Sequence, residues 1–142
     1  MSVLLGNGVK ALLEASSAVT DIVGTKIYPV VALQGVPSFP FVVYNVQVTG
    51  ASYGKGREGL GHVQDECQVM VNCVAKTYDE SIALQAAVRS ALECKAVDDA
   101  MQLGFTADPM TVSHADCAFD KDAMAFDSEI QFATFTQPMP TE

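Results

Sequence analysis

The sequence has no tryptophan and only two histidines, His62 and His114, and its cations are few: eight Lys and Arg stand against seventeen Asp and Glu, a formal net charge of −9. Tight binding to a phosphate backbone draws its affinity from clustered cations, so a tightly bound nucleic acid is not expected, and an acidic surface repels anionic lipid as well. Nucleophilic catalysis has little raw material. There is no G-x-S-x-G, and neither histidine has a Ser or Cys partner that the sequence identifies. The tight Cys pairs of structural zinc sites are missing too: Cys67, Cys73, Cys94 and Cys117 are spread along the chain. Met1–Leu5 has no basic stretch, and Lys10 and Glu14 interrupt the apolar run behind it, so no secretory signal is expected. Without export, the four thiols should be reduced and packed as small hydrophobes. The stretch Ile27–Gly54 carries no charge, but Pro29, Pro37 and Pro40 break it, so no membrane-spanning helix fits there.

What is present describes one folded domain over residues 1–142, with 49% hydrophobic and 18% charged residues. Leu5, Val9, Leu12 and Leu13 recur on one helical face, and a short second helix over Ala18–Val23 follows, capped by Ser17 and stopped by Gly24. Ile27–Pro40 reads as an extended, proline-marked connector. Phe41–Thr49 alternates as a strand, with Val42, Tyr44, Val46 and Val48 on one face. Val63–Ala75 alternates more strictly, with Cys67, Val69, Val71 and Cys73 on one face and Asp65 as the exception. Thr77-x-x-Glu80 is a capping box that opens a helix running to about Lys95, with Ser81, Leu84, Val88, Ala91 and Leu92 as its stripe and Ile82 on the opposite side. Met110–Ala118 and Met124–Thr136 form a second hairpin around Asp120-Lys121-Asp122, the latter alternating with Met124, Phe126, Ile130 and Phe132 against Asp127, Glu129 and Gln131, and residues 137–142 form a tail. The expected fold class is α+β: a four-stranded antiparallel sheet with two main helices on one face, in the order α-β-β-α-β-β.

Between the first two long strands lies Gly50–Gly61, with five glycines. It reads as a mobile hairpin tip, because each glycine is entropically costly to fix. Gly54-Lys55-Gly56-Arg57-Glu58-Gly59 within it spells a dinucleotide fingerprint. A strand follows it, however, where such a site needs a helix N-terminus for the pyrophosphate, so no cofactor is expected. Eight carboxylates fall between Asp98 and Glu129 with only Lys121 among them, a pattern that reads as a solvated face. Asp116, Asp120 and Asp122 lack the glycine and distal Glu of a calcium loop, and no metal is expected.

Several short pieces together carry a resemblance. They are Val23-Gly24-Thr25-Lys26-Ile27-Tyr28-Pro29, Gln34-Gly35-Val36-Pro37, Phe39-Pro40-Phe41-Val42-Val43-Tyr44, Val69-Met70-Val71-Asn72-Cys73 leading into Thr77-Tyr78-Asp79-Glu80, Val88-Arg89-Ser90-Ala91-Leu92, and Phe126-Asp127-Ser128-Glu129-Ile130-Gln131-Phe132. Over about residues 2–136 the chain resembles the siphophage tail-completion family, which includes tail terminators. It departs from the family in Cys73-Val74-Ala75, which lacks a tryptophan often found there, and in Ser81, where an alanine is expected.

The resemblance implies a structural subunit, and no enzyme, that forms a six-fold ring on the end of the tail tube and stops its growth. Its partners would be copies of itself, the tail tube protein and a head–tail connector protein. It would work in the host bacterial cytoplasm and then in the virion tail. An acidic lining would let DNA pass without sticking. The residues expected to contact a neighbouring subunit or the tube are Tyr53, Lys55, Arg57 and Leu60 of the hairpin tip, Ile82 on the helix, and Val31 and Leu33 of the connector. A head-side neck protein and a small α+β enzyme or ligand-binding domain are the alternatives. The last would need a pocket that brings His62, His114 or the acidic turn into mutual reach.

Overall fold

In the computed structural model, which describes residues 5–29, 39–53, 62–95, 105–121 and 124–138, the N-terminal apolar stripe forms helix α1 (Leu5–Ala15). Val9 and Leu13, one turn apart, are fully buried, and Leu12 packs beside them. Helix α2 (Ser17–Val23) buries Val19 and Val23. Its cap is Ser16 and not Ser17, and no side-chain capping bond forms. Thr20 serves the first turn instead, its backbone N–H and its hydroxyl both donating to the Ser16 carbonyl, at 3.0 and 3.2 Å. The helix stops where expected, at Gly24, whose φ of 64° lies in the left-handed region that favours glycine.

Part of the expected connector is a strand. β1 (Ile27–Pro29) pairs in parallel with β2 (Phe41–Tyr53), Ile27 opposite Val42. Three residues are too few for alternation to reveal, and a parallel partner depends on what lies between. Residues 30–38, which include Val31 and Leu33, are outside the described residues. The Phe39–Pro40 peptide is cis.

β2 and β3 (His62–Ala75) form the long antiparallel hairpin, paired from Phe41↔Val74 to Tyr53↔His62. β2 runs four residues past its expected end at Thr49, across a register shift between Val48 and Gly50. The alternation of β3 holds: Cys67, Val69, Val71, Cys73 and Ala75 are buried. Along β2 it fades, from buried Val42 and Tyr44 to Val48, which is 45% exposed.

Helix α3 (Tyr78–Leu92) begins at Thr77, whose hydroxyl accepts the Glu80 N–H at 3.2 Å. Ser81, Leu84, Val88, Ala91 and Leu92 are buried as the stripe predicts. The helix ends three residues before Lys95 because Cys94 turns into the left-handed region (φ 61°), where its N–H donates to the Met110 carbonyl at 2.8 Å.

The C-terminal part adds β4 (Phe105–Ala107), β5 (Thr111–Asp120) and β6 (Ala125–Pro138), which continues past Thr136 into the expected tail. The sheet order is β1-β2-β3-β6-β4, with β5 also on β6. β4 pairs with residues 136–138 of β6 and β5 with residues 125–133, so both lie along one edge and the sheet is five strands wide. The α+β class stands, but the sheet is mixed, and among the described residues three helices are present in the order α-α-β-β-β-α-β-β-β. Leu12, Leu84, Val88 and Leu92 meet Val69, Val71 and Phe132 in one core as expected. Burying a Val, Leu or Phe side chain contributes about 1.5–3 kcal/mol relative to leaving it in water, so this helix-covered face holds the fold together. Met124 departs from its expected place on the apolar face. A φ of 53° takes it out of the strand's alternation and leaves it 65% exposed. Among the described residues no helix is long and apolar enough to cross a membrane.

Candidate functional site

Strand β6 sorts its side chains by parity. Ser128, Ile130, Phe132, Thr134 and Thr136 are buried, while Asp127, Glu129 and Gln131 are half-buried on the other face. On that second face Val43, Asn45, Met70, Asn72, Val74, Asp127 and Glu129 line a shallow groove of about 270 Å³. A ladder of polar side chains crosses it. Gln68 donates to Gln131, Gln131 donates to Glu129 at 2.7 Å, and Asn72 donates to Asp127 Oδ2 at 3.1 Å.

Strand β5 brings more carboxylates to this face. A register shift between Val112 and His114 sets Asp116 directly opposite Glu129 and Ala118 opposite Asp127. Like charges facing each other across a ladder destabilise it. The backbone beneath them is held from the helix side: Gln85 of α3 donates to the carbonyls of Asp116 and Glu129, at 3.0 and 2.9 Å. His114 Nε2 lies 2.9 Å from Asp116 Oδ2, with both side chains about half exposed. Asp127 carries the cost of the cluster. Burial first, then the charges of Glu129, Asp120 and Asp116, push its carboxyl above the usual range against the opposing bond from Asn72. Its Oδ1 is buried without a hydrogen-bond partner among the described residues.

Chemically, this patch can hold positive charge. Donor atoms of His114, Asp116 and Glu129 lie within 4.8 Å of one another, a spacing that a divalent cation could bridge with water completing its shell. The same three residues are the mutual reach that an enzyme would need, but no Ser or Cys nucleophile is among them, and they sit on an open sheet face.

The residues expected to make contacts are distributed differently. The backbone of Tyr53 pairs with His62 at the far end of the β2–β3 hairpin. Lys55, Arg57 and Leu60 are outside the described residues, as are Val31 and Leu33. Ile82 is half-buried on α3, between buried Ser81 and exposed Ala83. The acidic patch was partly visible in the alternation of Asp127, Glu129 and Gln131. That Asp116 joins it depends on the β5 register.

The end of the β5–β6 hairpin also exposes apolar surface. Phe126 packs against Tyr78 and Phe119 at ring-centroid distances of 5.9 and 5.0 Å, and Tyr78, Phe119 and Met124 are exposed. Among the described strands β5 pairs only with β6, so its outer edge is open. All four cysteines are free thiols, with Cys67 and Cys73 buried.

A family profile described as "Tail completion protein gp17" matches residues 8–137. No curated protein matches in sequence. Among solved structures, the chain is similar to one in the "Virion of native gene transfer agent (GTA) particle". The TM-score is 0.73 and the identity 16%, and 94% of each chain is covered. At that identity the likeness is one of fold.

Proposed function

The chain belongs to the family of the tail completion protein gp17 and is a structural protein of tail assembly, and from that membership we propose that it caps the tail tube and helps join the tail to the head. The observation that carries this reading is the family match over residues 8–137, nearly the whole chain. A cap on a tube with rotational symmetry must repeat one contact around a ring, in which one patch of a subunit meets a different patch of the next. A six-fold ring of this chain, seated on the tail tube protein and facing a connector protein, is the proposed assembly. It forms in the host bacterial cytoplasm and remains in the virion tail. The role is that of a building block and requires no catalytic group.

Two features favour a surface built for assembly. The outer edge of the ten-residue strand β5 is unpaired among the described strands, and natural monomers usually blunt such edges. The aromatic cluster at the hairpin end is apolar surface of the kind that marks protein contacts. Light scattering with negative-stain imaging tests the reading: oligomers should increase with concentration and appear as rings. A protein that stays monomeric and does not bind purified tail tubes overturns it. Binding to purified connectors but not to tubes would assign it to the head-side neck instead.

A further inference from the structure

We propose that the open edge of β5 pairs, antiparallel, with the open edge of β2 in a second copy of this chain, so that the sheet runs on from copy to copy. The inference deepens the ring reading and rests on it.

Two edges of the sheet lack partners among the described strands. β1 covers only residues 42–44 of β2, and from Asn45 onward that edge is open. On the other side β5 pairs only with β6. Natural edge strands are usually blunted by lysine, proline or inward-pointing charge. Here residues 41–53 carry no charge and no proline, and residues 111–120 have neither lysine nor proline. Each edge also shows an apolar side chain to water: Val48 is 45% exposed and Phe119 47%.

Backbone direction decides which residues can pair. The Val42 N–H points outward and donates to the Lys26 carbonyl, just before β1. Alternate residues of a strand turn their N–H and C=O to the same side, so those of Val46 and Val48 point outward too. On β6 the Phe135 carbonyl accepts from Asp108, on the edge where β5 lies. By the same alternation Glu129 and Asp127 turn toward β5, where they pair with Asp116 and Ala118. Cys117 and Phe119 therefore point away from β6, to the open edge.

One register joins these groups. Cys117 stands opposite Val48 of the next copy and Phe119 opposite its Val46, each pair exchanging two hydrogen bonds. The paired stretch, residues 117–120 with 45–48, stops short of β1 and of the register shifts in both strands. Faces match as well. The four side chains just named lie on the helix side, and on the other face Asp120, the only charge in the stretch, meets the Asn45 amide. β2, β3, β6 and β5 alternate in direction, and an antiparallel joint continues the alternation.

The same register suits closure. Ala118, Asp127, Val74 and Phe41 form one row across a copy. In the joint Ala118 meets Gln47, six residues along β2 from Phe41. Each copy thus steps about 20 Å along the strands for about 19 Å of sheet width, a strand tilt of about 45°. Closing a sheet requires such a stagger, and closed barrels tilt by roughly 35–45°. The two edges are different patches of one subunit, as a head-to-tail ring needs.

Disulfide trapping and edge blocking test the contact. In a Cys94→Ser background, Val48→Cys sets a thiol opposite Cys117 of the next copy, with Cα atoms about 5.5 Å apart, inside the roughly 4.4–6.8 Å of disulfides. Within one copy the two positions lie on opposite edges of the sheet. Oxidation should give a ladder of linked copies on a denaturing gel, lost when Cys117→Ser is added. Val48→Pro and Cys117→Pro each delete an outward N–H that no described strand of the same copy uses. Val48→Lys and Phe119→Lys put charge at exposed positions and decide the matter where proline unfolds the chain. Circular dichroism checks each fold. By sedimentation velocity every folded edge variant should weaken assembly at least about tenfold. If the wild type forms rings and the edge variants do so equally well, or if Cys117 links to Cys117 without Val48→Cys, this contact falls and the ring stands. A wild type that neither assembles nor binds tubes overturns both.

Discussion

Ser81 and Ser128 lie 47 residues apart in sequence, yet their hydroxyls meet at 2.7 Å, fully buried between α3 and β6. Ser81 Oγ donates to the Cys73 carbonyl at 2.9 Å, which leaves Ser128 to donate to Ser81. One serine therefore ties the helix to two strands. Ser81→Ala removes the acceptor and orphans the Ser128 hydroxyl, a loss of about 1–3 kcal/mol. Ser128→Ala leaves Ser81 bonded to Cys73 and should cost less. The double variant should cost less than the sum of the singles, because no buried hydroxyl is then left unpaired. Urea unfolding of the three variants measures the order.

Asp127 sets a pH dependence of known sign. Its carboxyl titrates above the ordinary value of 3.8 in the folded protein, chiefly through burial. Between the unfolded and folded values the native state binds more protons, so its contribution to stability falls as pH rises through that window. Asp127→Asn can still accept from Asn72 and removes the charge. It should raise the melting temperature at neutral pH, with the gain vanishing below pH 3.8, where both forms are uncharged. A variant equally stable or less stable at neutral pH would contradict this account.

The thiols should divide by burial. Cys94 is exposed and Cys117 partly so, while Cys67 and Cys73 are enclosed. Burial, with Asp127 nearby, raises the Cys73 pKa and suppresses its thiolate further. A disulfide-exchange reagent should modify Cys94 and Cys117 in the native protein, with the other two reacting only on unfolding. Mass spectrometry of unreduced protein should find no bridge.

Replacing residues 54–61 with a tight turn should leave folding intact, because the paired strands end at Tyr53 and His62. The same change removes Lys55 and Arg57. Tails assembled with this variant should differ in length or joining, and infectivity should drop. Normal tails would mean that the segment makes no required contact.

Local chemistry was enough to read the long elements. Alternation marked β3, the 3.6-residue period marked α1 and α3, the Thr77 cap located the start of α3, and Gly24 stopped α2, because each depends only on neighbours in the chain. Even the polar side of β6 was legible from its parity. Four features were decided by tertiary structure. β1 and β4, of three residues each, exist because β2 and β6 offer edges to pair with. Met124 leaves the apolar face because of a turn conformation. Ser81 replaces an alanine expected in the family, yet the buried hydroxyl is satisfied by partners on two strands. Asp116 faces Glu129 because a one-residue register shift in β5 selects which side chains share a face. Periodicity in sequence assigns a residue to a side of its own strand. Which charges then stand opposite one another depends on register between strands, which is set by packing across the whole sheet.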